Sequence, residues 1–253
     1  MIELYSADTP NGKKIGIMLE EIGFDYNVTK IDLGNKEQFS PEFRKISPFS
    51  KIPVIKDHDN KESVFESGAI LMYLGEKSNK FYDKENRLKI NQWLMGQMGY
   101  VGPMIGQHHQ FHHYNSGKSE FGEKRYFDIA KSIYHDLNER LGQSKFLAGE
   151  NYSIADIATW PWIARHEWHD IGLKNYQNLS RWYLEIADRE AVIKGYNFMD
   201  KNLLHQTRKV FIEKSNQYLF NDNNIYIQYY KFFNEAVKLA KKGQFLDSGW
   251  SPL

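Results

Sequence analysis

The chain has 253 residues, 41% hydrophobic and 26% charged, which allows one or two globular domains with a substantial core. A formal charge of +1, with no apolar run near roughly 18 residues, excludes a membrane helix and argues against nucleic acid or a membrane surface as the main partner. Cysteine is absent, which excludes disulfides and thiolate zinc sites, so any thiol chemistry uses a thiol brought by a substrate or cofactor.

The N-terminal MIELYSADTP lacks the basic and apolar regions of a secretory signal, and the expected location is cytoplasmic. Ile2 to Tyr5 reads as a strand, with turn residues ADTPNG behind it. Ile15, Met18, Leu19 and Ile22 then fall on one helix face, and Gly23 ends that helix. Tyr26 and Val28 mark a second strand, and PEFRK a short helix. KIPVI at 51–55 is an apolar run interrupted by proline, and SVF at 63–65 is another strand. Ser67 is expected to N-cap a helix carrying Ile70, Leu71 and Leu74. The order β-α-β-α-β-β-α describes a small α/β domain.

After SNKFYDKEN at 78–86 the strand signals stop, and 87–200 reads as helical. Phe121, Ile129, Ile133, Leu137 and Leu141 form an apolar stripe, with Arg125 near its edge. In YSIADI at 152–157, Ser153 is the expected N-cap and Asp156 its acidic partner, with Tyr152 and Ile157 able to staple across them. Pro161 lies inside the following helix. Segments 206–220 and 225–242 read as helices of mixed polarity, and GQFLDSGWSPL is apolar without a period. The expected fold is α/β plus all-α, divided as 1–80, 87–200 and a helical extension over 201–253.

Three stretches of the first domain suit chemistry. TPNG at 9–12 opens a helix, whose N-terminal N–H groups favour an anion such as a thiolate; taken alone it reads first as a simple capped turn. KIPV can carry a cis X–Pro bond that exposes the backbone of Ile52 to an extended peptide, or it is simply a strand containing proline. In FESGAI, a helix N-terminus can receive a carboxylate while Glu66 pairs with an ammonium group, an arrangement suited to an α-amino acid end; the plain alternative is another capped helix. A fourth stretch, IGQHHQFHHY at 105–114, carries two histidine pairs at i, i+4 spacing. Neither cysteine nor an HExxH pattern accompanies them, so no metal is expected.

KIPV followed by FESGAI, with YSIADI in the helical half, resembles the glutathione transferase family over about residues 1–200. YSADTPNGKKIGIMLEEIG, IDLGNKEQFSPEFRKISPFSKIPVI, VGPMIGQHHQF and GENYSIADIATWPW are similar to its nu class, the bacterial group related to the yeast prion-forming nitrogen regulator. The resemblance implies a thioredoxin-like N-terminal domain, an α-helical C-terminal domain and a homodimer. It implies a glutathione-dependent disulfide reductase holding two glutathione molecules, or one glutathione disulfide, per site. By motif, Thr9 and Asn11 would contact the glutathione sulfur, and Gln38 and Lys51 the glycyl-carboxylate side. Ile52, before an expected cis Pro53, would pair with the cysteinyl backbone, and Glu66 and Ser67 would bind the γ-glutamyl end. Arg125, in EKRYFD, matches a family arginine that reaches the site across the dimer, and His108 and His109 would line the substrate side of the cleft. Tyr5 and Ser6 stay as candidates because other classes activate the thiol with a hydroxyl near the first strand.

On this reading bound glutathione reduces disulfides by thiol–disulfide exchange, with weaker conjugation or peroxide activity beside it. Two alternatives differ from it: a conventional transferase adding glutathione to electrophiles, and a non-catalytic glutathione-binding regulatory protein on the same scaffold.

Overall fold

Strand β1 (Ile2–Ser6) buries Ile2, Leu4 and Ser6 on one face, the alternation expected of a half-covered strand. It pairs parallel with β2 (Tyr26–Lys30) and antiparallel with β3 (Val54–Asp57), which in turn pairs antiparallel with β4 (Glu62–Phe65). The result is a four-stranded mixed sheet in the order β2-β1-β3-β4. A parallel β1–β2 pair needs a crossover, and helix α1 (Pro10–Ile22) supplies it. The computed structural model describes residues 1–199.

Helix α1 begins on Thr9, whose Oγ1 accepts from the Gly12 N–H at 3.1 Å, with Pro10 at the first helical position. It ends at Gly23, left-handed at φ 74°, whose N–H reaches the Leu19 carbonyl. Every residue from Gly12 to Leu19 is buried, because α1 lies between other helices on several sides as well as against the sheet. Its neighbours are α3 (Ser67–Ser78), α7 (Ile154–Ile163) and α9 (Glu190–Tyr196). The α1–α9 crossing depends on paired glycines: a Cβ on Gly16 would stand 2.5 Å from the Gly195 carbonyl oxygen. Ile15, Ile17, Met18 and Leu19 are fully buried, each stabilising by about 1.5–3 kcal/mol relative to exposure.

Beyond α3 the named elements of the described residues are all helical, apart from one isolated bridge between Phe146 and Gly149. A short α2 (Pro41–Arg44) sits in the β2–β3 connection. Then α4 (Arg87–Gly96) runs through a π-helical segment at 97–101 into α5 (Gly102–His109), and a second π segment spans 110–114. Helices α6 (Glu120–Gln143), α7 and α8 (Gln177–Ala187) share a core around Tyr134, Ile157 and Trp182. Asp156 anchors that core. Its two carboxylate oxygens accept from Leu147 N, Trp182 Nε1, Ser153 N and Ser153 Oγ at 2.9–3.0 Å, and the Ser153–Asp156 capping box is complete. Tyr152 packs its ring on Phe81 and Phe146. Among the described residues no helix is long and apolar enough to cross a membrane.

Two local expectations are corrected. Ser67 is the first helical residue of α3 rather than its N-cap; the cap position belongs to Glu66, at φ 69° and without a side-chain capping bond. Phe121 lies outside the buried stripe of α6 and is 77% exposed. At that end α6 packs through Gly122 and Tyr126 instead: the Phe111 ring lies where a Cβ on Gly122 would be, and it stacks on Tyr126 at 5.2 Å. The expected helices at 206–220 and 225–242, the closing segment GQFLDSGWSPL, and the extension over 201–253 lie outside the described residues.

Candidate functional site

The sheet register gathers three loops. Tyr5 pairs with Val54 and Val54 with Phe65, so the exit of β1, the entry of β3 and the exit of β4 share one end of the sheet. Thr9 and Asn11 follow β1, Ile52 and Pro53 precede β3, and Glu66 and Ser67 follow β4. Because β2 runs parallel to β1, its exit toward Gln38 lies at that end too.

At the start of α1, Thr9 uses a lone pair on Gly12 N and keeps its hydroxyl hydrogen to give. Asn11 is half-buried, and its Oδ1 accepts from the Trp162 indole N–H at 3.2 Å, a bond from α7 back to α1. An indole N–H only donates, so this contact fixes the amide orientation. The Asn11 amide N–H groups have no partner among the described residues. Two side-chain donors and the backbone N–H of Asn11, which has no partner among the described residues, thus favour an anion there.

The Ile52–Pro53 bond is cis. Before it, the Ser47 hydroxyl ties the loop: it donates to the Lys51 carbonyl at 2.7 Å and accepts from Lys51 N at 2.9 Å. The Lys51 side chain is exposed, and the N–H and C=O of Ile52 have no hydrogen-bond partner among the described residues. Gln38 is buried with its Oε1 unpaired. A backbone donor–acceptor pair, a glutamine amide and a lysine ammonium at one sheet end suit a peptide with a terminal carboxylate.

Glu66 is exposed, and its positive φ is a conformation costing on the order of 1–3 kcal/mol. Ser67 is buried, and beneath it lies Lys14, 1% exposed. The Lys14 Nζ reaches Ser67 Oγ at 3.3 Å and Gln97 Oε1 at 2.7 Å. Burial holds the Lys14 pKa well below the usual lysine range, while the Glu66 carboxylate pulls it up.

Not every expected residue joins this group. Arg125 is exposed on α6, whose main packing partners are α5, α8 and the turn between α5 and α6. Tyr5 packs on Phe43 at 6.4 Å, and Ser6 is fully buried with its hydroxyl turned to the Ala7 carbonyl. His108 and His109 are corrected: they are 0% and 5% exposed and do not line an open cleft. His108 Nε2 meets the His169 carbonyl at 3.0 Å, and the His109 ring lies between Trp162 and Trp168 at 5.8 and 4.3 Å. Burial lowers their pKa values to about 4 and about 2, so both are neutral imidazoles in an aromatic core behind Trp162. Among the described residues no three His, Cys, Asp or Glu side chains are arranged to hold a metal ion.

Sequence reasoning missed Lys14, Gln97 and Trp162. For Lys14 a signal existed: it stands four residues before Met18, on the apolar face of α1. Nothing local marks Gln97 or Trp162, whose partners are 83 and 151 residues away.

Residues 1–76 match the glutathione S-transferase N-terminal domain, and residues 112–190 match the glutathione S-transferase C-terminal domain. The chain is 46% identical to the disulfide-bond oxidoreductase YfcG of Escherichia coli, over 76% of this chain and 92% of that protein. A glutathione transferase family member from Pseudomonas fluorescens, solved with two glutathione bound, aligns at a TM-score of 0.71 and 39% identity, over 77% of this chain and 92% of the other. A glutathione transferase from Pseudomonas putida, solved with one glutathione disulfide per subunit, aligns at 0.72 and 37% identity, over 78% and 90%. Domain matches, sequence identity and fold agree: the chain belongs to the glutathione S-transferase family.

Proposed function

We propose that this protein is a glutathione-dependent disulfide reductase of the nu class, working as a cytoplasmic homodimer. The observation that carries the reading is the pair Thr9 and Asn11, presenting donors at the α1 N-terminus of a chain that has no cysteine. The nucleophile is then the thiol of the substrate glutathione, with a pKa near 8.5 when free. Hydrogen bonds from Thr9 and Asn11 favour its thiolate; each unit of pKa lowering corresponds to about 1.4 kcal/mol.

The bound thiolate attacks one sulfur of a disulfide, forms a mixed disulfide and expels the other sulfur as a thiolate. A second glutathione thiolate attacks the glutathione sulfur of that mixed disulfide. Glutathione disulfide leaves, and the second substrate thiol is released. Two glutathiones are oxidised for each disulfide reduced. The relatives solved with two glutathiones or one glutathione disulfide support a site of that capacity.

In this proposal Gln38 and Lys51 hold the glycyl carboxylate, Ile52 pairs with the cysteinyl backbone before Pro53, and Glu66 and Ser67 bind the γ-glutamyl end. Arg125, exposed on α6 of one chain, completes the site of the second subunit. The division that goes with it is a glutathione-binding domain at 1–80, a helical domain at 87–200 and an extension at 201–253. Comparing kcat/KM on a small aliphatic disulfide and on an aryl halide tests the assignment. Preference for the disulfide is expected; preference for the halide makes the protein a conventional conjugating transferase. Glutathione binding without turnover of either makes it a regulatory protein.

A further inference from the structure

Lysine is rarely buried, and Lys14 is 1% exposed in the middle of α1. An ammonium has three hydrogens to give and no lone pair to receive. Its surroundings answer that need. Gln97 turns its Oε1 to Nζ at 2.7 Å, although this leaves Gln97 Nε2 buried without a partner. The opposite amide orientation would set N–H groups against the ammonium. Ser67 Oγ lies at 3.3 Å and the Met98 sulfur at 3.8 Å. Burying an ammonium costs several kcal/mol unless its hydrogens find acceptors. A methionine or leucine at this position would fill the same space without that cost.

The consequence falls on Ser67. A hydroxyl that accepts from an ammonium has to direct its own hydrogen elsewhere. Here that hydrogen goes to the Met98 sulfur at 3.5 Å, a weak acceptor that a carboxylate oxygen easily replaces. We propose that Lys14 is a positioning residue that sets glutathione selectivity: by donating to Ser67 Oγ it points the Ser67 hydroxyl at the α-carboxylate of the γ-glutamyl end. This rests on the reading of Ser67 as the γ-glutamyl contact. Lys14 does not touch the reacting sulfur and acts through Ser67. An arriving carboxylate adds a negative charge near the amine and favours its protonated form, countering the lowering that burial imposes.

The test compares two ligands on the full-length protein by calorimetry: glutathione, and 4-aminobutanoyl-cysteinyl-glycine, which is glutathione without the α-carboxylate. Wild type is expected to prefer glutathione by roughly 10- to 100-fold, the scale of a hydrogen bond to a charged group. Lys14→Met should weaken glutathione by most of that factor and leave the analogue within about 2-fold, collapsing the preference. Lys14→Leu, which also removes every donor at this position, is read the same way should the methionine variant not fold. A purely structural lysine weakens both ligands together, so an unchanged preference in a folded variant overturns the inference while leaving Ser67 in place. If wild type itself shows no preference, the γ-glutamyl reading of Ser67 fails first, and the role of Lys14 falls with it.

Discussion

Replacing Trp162 with phenylalanine removes one N–H and keeps a six-membered ring against His109. The lost bond, Trp162 Nε1 to Asn11 Oδ1 at 3.2 Å, fixes the orientation of the Asn11 amide, whose N–H groups would face the glutathione thiol in the proposed site. A net hydrogen bond is worth about 0.5–1.5 kcal/mol, equivalent to a fall in turnover of about 2- to 13-fold if its whole effect falls on the transition state. The stability cost should stay below the roughly 3–5 kcal/mol of a full Trp→Ala truncation, since most of the ring remains. The assay is steady-state disulfide reduction with glutathione, measured for Trp162→Phe, Asn11→Ala and the double variant. If Trp162 acts by orienting Asn11, kcat falls in both single variants while glutathione binding changes little, and the double variant is no worse than Asn11→Ala. Effects that simply add would refute this and leave Trp162 as packing alone. Unchanged turnover in Asn11→Ala would remove Asn11 from the chemistry.

Acid should destabilise the fold between pH 6.5 and about 5, because His108 and His109 are held neutral with pKa values of about 4 and about 2. In the unfolded chain both take up a proton as pH falls through 6.5; in the folded chain neither does until the lower values. The stability is therefore present above 6.5 and is lost as pH falls, by about 4 kcal/mol for the pair at pH 5. Urea unfolding at pH 7, 6 and 5 measures it. His109→Phe should make the profile shallower without flattening it, because burial also lowers the pKa of His113 and His169, and a flat profile in wild type contradicts the burial argument. Asp156→Ala strands the donors of Leu147, Ser153 and Trp182 in the helical core, and should cost about 3 kcal/mol or more in denaturant unfolding. A loss under about 1 kcal/mol would show that water replaces the carboxylate.

The N-terminal half was legible in the sequence because its signals are local. The Ile15–Ile22 face, Gly23 and the KIPV and FESGAI stretches each report on neighbours within a turn or a strand, and the β-α-β-α-β-β-α order follows from them. The capping box at Ser153 was readable for the same reason. What was not readable depends on distant packing. Ser67 has the composition of an N-cap, yet Glu66 takes the left-handed turn that caps α3. Phe121 fits the apolar period of α6, but Gly122 admits Phe111 beside it and the helix packs on a different face. Of the four clustered histidines, His108 and His109 are taken out of water by packing on Trp162, Trp168 and His169, while His112 and His113 stay partly exposed, and nothing local in the sequence separates the two pairs. Lys14 stands on the apolar face of α1, but the partners of its amine, Ser67 and Gln97, arrive from α3 and the first π segment and are not legible locally.

The central claim is that a chain without cysteine reduces disulfides with a thiol it binds but does not own. Product accounting tests it most directly: the protein, a small disulfide and excess glutathione are incubated anaerobically, and the products are resolved by mass spectrometry. Catalysed reduction predicts one glutathione disulfide and two substrate thiols per disulfide consumed, formed faster than in the protein-free control, with the mass of the chain unchanged. Glutathione disulfide at only the uncatalysed rate would contradict the claim.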